Sequence, residues 1–283
     1  VAAALLGGAY GRAAYAGSCT PGPVSVCSGP ANNGVDTKQI LTGTSLTVTT
    51  TPGFGIDTTS TGGTALQLRG TDGLSFTDTN NSGITGNFRG IEASKNGSGA
   101  LSLTSTEEVR GGATGDGINA RNFGTNLTLQ TAFVSGGNHG VYTRNDGGGA
   151  LDVTSVGRVQ GGRYGDGIFA TNYGTDLTIH TTAATGGRSG IYASNSGNGE
   201  LRIASSEAAI GTSHTGVSAA NFGTDLTLQT TEVSGGAVGV FARNSGIGAL
   251  RITSSEAVTG TSGTGVYARN QGTDLTIQTA TVT

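Results

Sequence analysis

The repeat that decides the fold of this chain is clearest in GVYARNQGTDLTIQT, residues 265–279. Near copies precede it, such as GIFATNYGTDLTIHT at 167–181 and GVFARN at 239–244. From Leu101 onward the lead leucines of the LTI-like triplets recur every 24–26 residues, which indicates an array of equal units. The lead leucines are Leu46, Leu74, Leu101, Leu127, Leu151, Leu177, Leu201, Leu226, Leu250 and Leu275.

Each unit is predicted to form three short strands separated by Gly-rich turns. The lead position and the second residue after it are aliphatic, and Ser or Thr follows at the fourth, as in Leu177, Ile179 and Thr181. These positions share one face of a strand, so they should point inward. A third strand, such as GVYTRN or GIYASN, alternates in the same way. The pattern predicts an all-β chain folded as a right-handed parallel β-helix of about ten coils.

Other architectures fit the pattern less well. The 53 glycines and the two-residue alternation disfavour helices. A β-propeller blade needs antiparallel hairpins, and the repeat of 49–50 residues between alternate lead leucines divides into two similar halves. We therefore expect the lead leucines from Leu127 to Leu275 to form one buried stack.

An Asn closes the third strand in successive units. Asn tolerates the left-handed backbone conformation of tight turns, and its amide can bond to an Asn in the next coil. We predict a structural ladder made of Asn96, Asn122, Asn145, Asn172, Asn195, Asn221, Asn244 and Asn270.

Composition and charge exclude several functions. The net charge of −3 offers no basic surplus to attract nucleic acid, so we expect no nucleic-acid partner. No run of about 18 apolar residues exists that could span a membrane as a helix.

The beginning of the chain indicates export. VAAALL and the Ala-x-Ala pattern that ends at Ala16 resemble the end of a secretory signal peptide, so residues 1–16 are interpreted as its remnant. Residues 17–40 are predicted to form an N-terminal cap, and residues 41–283 the β-helix repeats. Cys19 and Cys27 match neither a zinc pair nor a redox CxxC, which favours one disulfide formed in an oxidising compartment.

These repeats, behind a Cys pair and a signal-like start, resemble the passenger region of Gram-negative autotransporters (type V secretion). The resemblance covers most of residues 17–283. It implies export through the periplasm to the cell surface or the medium. It also implies that this sequence is a fragment of a polypeptide that ends in an outer-membrane β-barrel. The expected partner is a host-cell or matrix protein or a glycan, and we expect no cofactor.

One outer face carries candidate catalytic groups. Carboxylates on consecutive coils can share a proton or a metal ion, as a polysaccharide lyase or glycoside hydrolase would require. The alternative is a solvated surface on which Arg202 pairs with the acidic column. The candidates are Asp176, Glu200 and Asp225, with Arg202 and His180 nearby.

A second outward column is aromatic and has arginines in the next outward position of the strand. Tyr and Arg together are typical of interface hot spots, although exposed rings can also stabilise a sheet by stacking on one another. The aromatic residues are Tyr142, Phe169, Tyr192, Phe241 and Tyr267. The arginines are Arg121, Arg144, Arg243 and Arg269.

No metal site is predicted. GGATGDG at 111–117 and GGRYGDG at 161–167 resemble calcium-binding nonapeptides but stand 50 residues apart, so turns are the simpler interpretation. An ice-binding solenoid would need Thr on one flat face of every coil. The column after the lead Leu is interrupted by Asp152, Arg202 and Arg251. The leading hypothesis is therefore a non-enzymatic adhesive stem.

Overall fold

The computed structural model describes residues 17–283, so the predicted signal remnant at 1–16 lies outside the described residues. The described chain is a parallel β-helix whose successive coils pair in register. Its three faces are numbered from the lead-Leu strand onward. No helix occurs in this range, and therefore none with the length and hydropathy to cross a membrane.

Most strands lie entirely within one of the three faces. Face 1 contains β2 (Val24–Ser28), β8 (Leu101–Ser105), β11 (Leu127–Thr131), β18 (Leu201–Ser205) and β21 (Leu226–Thr230). Face 2 contains β4 (Ile56–Asp57), β6 (Ile84–Thr85), β9 (Val109–Arg110), β12 (Val134–Ser135), β19 (Ala209–Gly211) and β22 (Val233–Gly235). Face 3 contains β7 (Ile91–Lys95), β10 (Ile118–Asn122), β13 (Val141–Asn145), β15 (Ile168–Asn172), β17 (Ile191–Asn195), β20 (Thr215–Asn221), β23 (Val238–Asn244) and β25 (Val266–Asn270).

Six longer strands bend across a corner and join the faces into one continuous ladder. Those from face 3 to face 1 are β3 (Gln39–Thr50) and β5 (Leu66–Asp78). Those from face 1 to face 2 are β14 (Leu151–Gln160), β16 (Leu177–Gly186), β24 (Leu250–Gly260) and β26 (Leu275–Val282). Their pairing register shifts at the corner, for example between Ser155 and Arg158.

The predicted leucine stack forms, except at its last member. The lead residues from Leu127 to Leu250 pair in register, and each is fully buried. The Ser or Thr four residues later is also buried, as at Ser155 and Ser205. Leu275 is 49% exposed, because within the described chain its strand pairs on one side only, with β24.

The Asn ladder is continuous from Asn122 to Asn270. From Asn122 to Asn244, each Nδ2 donates to the Oδ1 of the Asn one coil further along, at 2.8–3.2 Å. The same Nδ2 also donates to backbone carbonyls of the following turn, such as Asp176 O from Asn172 at 3.0 Å. One amide therefore closes its own turn and joins the next coil, which explains why the residue recurs.

Two details of the predicted ladder are wrong. Strand β10 pairs with β7 so that Asn122 lies opposite Lys95, and Asn96 therefore falls outside the column. The left-handed conformation is also not used, since Asn81 is the only non-Gly residue of positive φ in the described chain. The ladder residues stay in extended strands and are selected for their amides.

The cysteine prediction is confirmed. Cys19 and Cys27 are disulfide-bonded and lie opposite each other in a hairpin between β1 (Ser18–Cys19) and β2. Strand β2 pairs in parallel with β3, so the hairpin stacks directly on the first coil. Strand β3 begins at Gln39 and therefore crosses the expected boundary between residues 40 and 41.

Candidate functional site

The aromatic column on face 3 forms two ring stacks. The centroids of Tyr142 and Phe169 are 5.0 Å apart, those of Phe169 and Tyr192 are 4.8 Å apart, and the planes are nearly parallel. Phe241 and Tyr267 stack in the same way at 4.9 Å. Ser218, which lies between Tyr192 and Phe241 in the pairing register, separates the two stacks.

Stacking limits what these rings can bind. A ring inside the stack has both faces covered by its neighbours, so it presents only its edge, and for Tyr its hydroxyl, to the outside. Arg121 also lies over Tyr142 at 5.2 Å, and Arg188 lies over Tyr192 at 5.5 Å. The three-ring stack can therefore donate hydrogen bonds and offer ring edges, but it has little free ring face.

A network of buried carboxylates supports the three-ring stack. Asp166 accepts from Arg188 Nε at 2.9 Å and from Ser189 N at 3.0 Å, and Arg188 Nη2 contacts its other oxygen. Asp116 accepts from Asn119 Nδ2 at 2.7 Å and from Asn138 Nδ2 at 2.9 Å. These are the aspartates of the two GDG motifs, and their oxygens are occupied by protein donors.

His139 lies between this network and the rings. Its ring centroid is 5.6 Å from that of Tyr142 and 5.3 Å from that of Phe169. The Asp166 backbone N–H donates to His139 Nδ1 at 3.1 Å, which requires Nδ1 to carry no proton. Burial lowers the pKa of His139, although Asp166 and Asp116 oppose this shift. The 3.5 Å approach of Nδ1 to the Asp166 carboxylate is therefore a contact of a neutral imidazole.

The predicted arginines are engaged to different extents. Arg144 donates from Nε to both Asp146 oxygens, at 2.8 and 2.7 Å, and this hydrogen bonding raises its pKa. Arg243 donates to Ser245 Oγ at 3.0 Å. Arg121 and Arg269 are exposed. The last two are the most available for an external partner.

Two carboxylates of the acidic column are engaged by the backbone of the next coil. Asp176 Oδ1 accepts the backbone N–H of Glu200 at 2.8 Å, and Asp225 Oδ1 accepts that of Ala249 at 2.6 Å. Each of these aspartates therefore fixes the turn of the next coil. The alternative, in which Arg202 pairs with this column, is wrong in that detail, because Arg202 donates to Gln229 Oε1 at 3.0 Å.

His180 is remote from the carboxylates. It lies in β16, four residues after Asp176, which directly precedes that strand; four extended residues span about 13 Å. It instead lines an open groove of about 510 Å³ that runs along the corner between faces 1 and 2. The groove is lined by hydroxyls and amides from five coils, including Thr154, Gln229 and Thr253.

No family model, curated protein or solved structure matches this chain. Its chemistry must therefore be inferred from the groups themselves. Among residues 17–283, no group of three or more His, Cys, Asp or Glu side chains is placed to hold a metal ion.

Sequence reasoning missed a second set of exposed rings. Phe123, Tyr173 and Phe222 each follow a ladder Asn directly and are 50–51% exposed. The signal was present in the sequence, because the spacing from the ladder Asn to the next lead Leu alternates between five and six residues. An aromatic residue occupies three of the shorter turns, as in NFGTNL and NYGTDL.

Proposed function

We propose that this chain is a non-catalytic binding stem of the autotransporter-passenger type, displayed at the cell surface or secreted through the periplasm. The observation that carries the proposal is the aromatic–arginine column of face 3. It is held rigidly by stacking and by the network around Asp116 and Asp166. Rigid Tyr edges beside Arg are suited to recognition, because little conformational entropy is lost on binding.

The state of the acidic column supports a stem rather than an enzyme. A catalytic carboxylate must be free to exchange a proton or attack the substrate. Asp176 and Asp225 each give Oδ1 to a backbone amide of the following coil, which is the ordinary role of a turn aspartate. The outward chemistry also recurs from coil to coil, which favours many weak and equivalent contacts.

The partner class follows from the same surface. Tyr hydroxyls and Arg side chains recognise polar groups of a host-cell or matrix protein or of a glycan. A longer polypeptide with a C-terminal outer-membrane β-barrel would anchor such a stem. With a net charge of −3, nucleic acid is a poor partner.

The test compares binding and turnover in matched variants. The purified rod is assayed for binding to host cells and matrix, and for cleavage of pectin and other glycans. We expect binding to fall partially in Tyr142→Ala and Tyr192→Ala, with cumulative losses. Glu200→Gln and Asp225→Asn should leave binding unchanged. Glycan cleavage that disappears in either carboxylate variant would refute the stem and establish an enzyme.

A further inference from the structure

Three exposed rings form a regular row on the corner between faces 3 and 1. Phe123, Tyr173 and Phe222 are 51%, 50% and 50% exposed, and each occupies the first turn position after a ladder Asn. These Asn residues are in register, two coils apart. Coils are spaced by one inter-strand distance, so the rings recur about every 10 Å along the rod.

The backbone holds each ring of this row firmly. The amides of Phe123, Tyr173 and Phe222 donate to carbonyls of the preceding coil at 2.9–3.0 Å. A Gly follows each ring, and at Gly174 an added Cβ would lie 2.1 Å from Gly149 O. The backbone of these turns is thus closely packed, which fixes the spacing of the three ring-bearing residues along the rod.

The coils between the rings carry small or neutralised polar groups. In the coils that carry no ring of this row, the residue directly after the ladder Asn is Asp146, Ser196 or Ser245. Asp146 and Ser196 lie between the rings, and Ser245 lies one coil beyond Phe222. The carboxylate of Asp146 is bonded to Arg144 Nε at 2.7 and 2.8 Å, which neutralises both groups. The row therefore alternates an aromatic ring with a hydrogen-bonding side chain, and its one carboxylate is paired with Arg144.

The ring row lacks most of the ring and arginine neighbours that cover the three-ring stack. In the described chain, neither Phe123 nor Phe222 is within stacking distance of another ring or an Arg. Arg144 lies over Tyr173 at 5.0 Å and can cover only one side of that ring. About half of the surface of each of the three residues is open to solvent.

The chemistry of the row points to a carbohydrate. A pyranose ring has a face of C–H bonds that packs on the electron-rich face of an aromatic ring, while its hydroxyls bond to polar groups at the edge. A protein partner would require a contiguous, closely packed patch, which rings separated by Gly, Ser and Asp do not provide. The absence of free charge in the row favours a neutral chain.

We propose that the ring row of Phe123, Tyr173 and Phe222 binds a neutral, linear polysaccharide in an extended conformation, with one sugar face on each ring. In an extended β-1,4-linked chain, alternate sugars present the same face, and two units span a distance comparable to two coils. This inference rests on the proposed binding stem and deepens it by naming a ligand class and a second row of rings, which meets the aromatic–arginine column at Arg144.

The test is affinity electrophoresis of the whole rod in gels that contain hydroxyethyl cellulose, xylan or glucomannan. We expect retardation by at least one of these polymers. The dissociation constant should rise several-fold for each single ring-to-Ala change and more than about tenfold for all three. Phe133→Ala and Tyr164→Ala remove rings that are 55% and 78% exposed but lie off the row, and these variants should bind like wild type.

A gain-of-function variant tests the spacing directly. Gln271 is exposed and follows Asn270 at the next alternate turn, so Gln271→Tyr should extend the row and increase affinity several-fold. Binding that is lost in Gln229→Ala but kept in the triple ring variant would overturn the proposal and place the ligand in the groove.

Two other outcomes would also refute the ring row. In one, only the charged polymers heparin or pectin retard the rod, and salt abolishes the retardation. In the other, none of the neutral polymers retards it. Cell or matrix binding that persists in the triple ring variant but falls in Tyr142→Ala would leave the binding stem intact. Absence of any cell, matrix or glycan binding would remove both proposals.

Discussion

The column that carries the Asn ladder differs between the two ends of the rod. From Asn122 to Asn270 it is uninterrupted Asn, whereas the three preceding coils place Gly43, Gly70 and Lys95 in the same register. The lead-Leu spacing is also longer at the N-terminal end, at 28 and 27 residues. The two regions share one leucine core and differ in how they satisfy buried polar groups.

The N-terminal coils rely on single carboxylates. Asp36 is buried and accepts the backbone amides of Gly17, Asn32 and Asp57 at 2.8–3.0 Å. Asp78 is buried and accepts from Thr50 Oγ1 at 2.7 Å.

A carboxylate only accepts hydrogen bonds, so it needs a different set of donors at each place. An Asn amide both donates and accepts, and it can bond to a copy of itself. Because Asn amides can bond to one another, the same residue can serve at the same position of every coil.

The largest expected effect concerns the shared core, where the two regions should respond alike. Leu177→Ala and Leu74→Ala each remove a buried side chain from a coil interior and should lower the free energy of unfolding by about 2–5 kcal/mol. Urea denaturation followed by circular dichroism measures this change. Ile247→Ala is the control, because Ile247 is 80% exposed. A loss below 1 kcal/mol at either leucine would contradict the common core.

Substitution of a ladder Asn should lower stability in the region from Asn122 to Asn270. Asn172→Ala removes the ladder acceptor of Asn145 Nδ2 and the ladder donor of Asn195 Oδ1, which are both buried and keep only their backbone partners. We expect a loss of about 1–3 kcal/mol. Ser196→Ala, at an exposed turn position nearby, should change stability by less than about 0.5 kcal/mol. Equal effects in both variants would show that the ladder contributes nothing specific.

Lys95 is the position where the ladder could be extended. Its ammonium is buried at the base of the ladder and bonded to Gly97 O, and burial lowers its pKa. Lys95→Asn should stabilise the rod by about 1 kcal/mol, since an amide can donate to Asn122. Lys38→Asn, at an exposed lysine, is the control. Destabilisation by Lys95→Asn would show that the turn geometry requires lysine.

The same lysine predicts a pH dependence. Because its pKa is lower in the folded than in the unfolded chain, the folded state binds fewer protons between the two values. Wild-type stability should therefore rise as pH increases towards 10.5, the ordinary lysine value, and Lys95→Asn should flatten that rise. Chemical denaturation at several alkaline pH values tests this, and an unchanged slope in the variant would contradict it.

His139, in the central coils, should give a smaller pH dependence of stability, on the acidic side. Its pKa lies below the ordinary 6.5 because of burial, so the unfolded chain gains the proton first. The contribution of neutral His139 to the free energy of unfolding is complete above pH 6.5 and is lost as pH falls through that value towards the folded pKa. His139→Gln should reduce the acid loss of stability relative to the His180→Gln control. Identical acid titrations of the two variants would exclude this role.

The smallest effect on the ladder coils is expected from the disulfide. Replacing Cys19 and Cys27 by Ser opens a short loop in the first hairpin, so fraying should stay within β1, β2 and the strand below them. Hydrogen exchange should speed up there and stay unchanged from Asn122 onward. Faster exchange throughout the rod would show that the hairpin stabilises all coils.

The fold was predictable from the sequence where neighbouring coils repeat the same sequence pattern. Alternation placed Leu177, Ile179 and Thr181 inside, because inward and outward positions of a strand follow from local geometry. The register error at Asn96 arose from aligning Asn with Asn. The alternating five- and six-residue spacing to the next Leu assigns Lys95 to that column instead.

The sequence by itself determined the coil period, the leucine core and the outward columns, because each depends on a pattern local to one strand and repeated. The tertiary structure decided which outward groups remain available. Asp176 is bonded to the Glu200 amide, and the faces of Phe169 are covered by its neighbours, whereas Phe123 is half exposed and has no ring stacked on it in the described chain. Such partners lie some 25 residues away in the chain, and side-chain direction selects among them only when the coils are stacked.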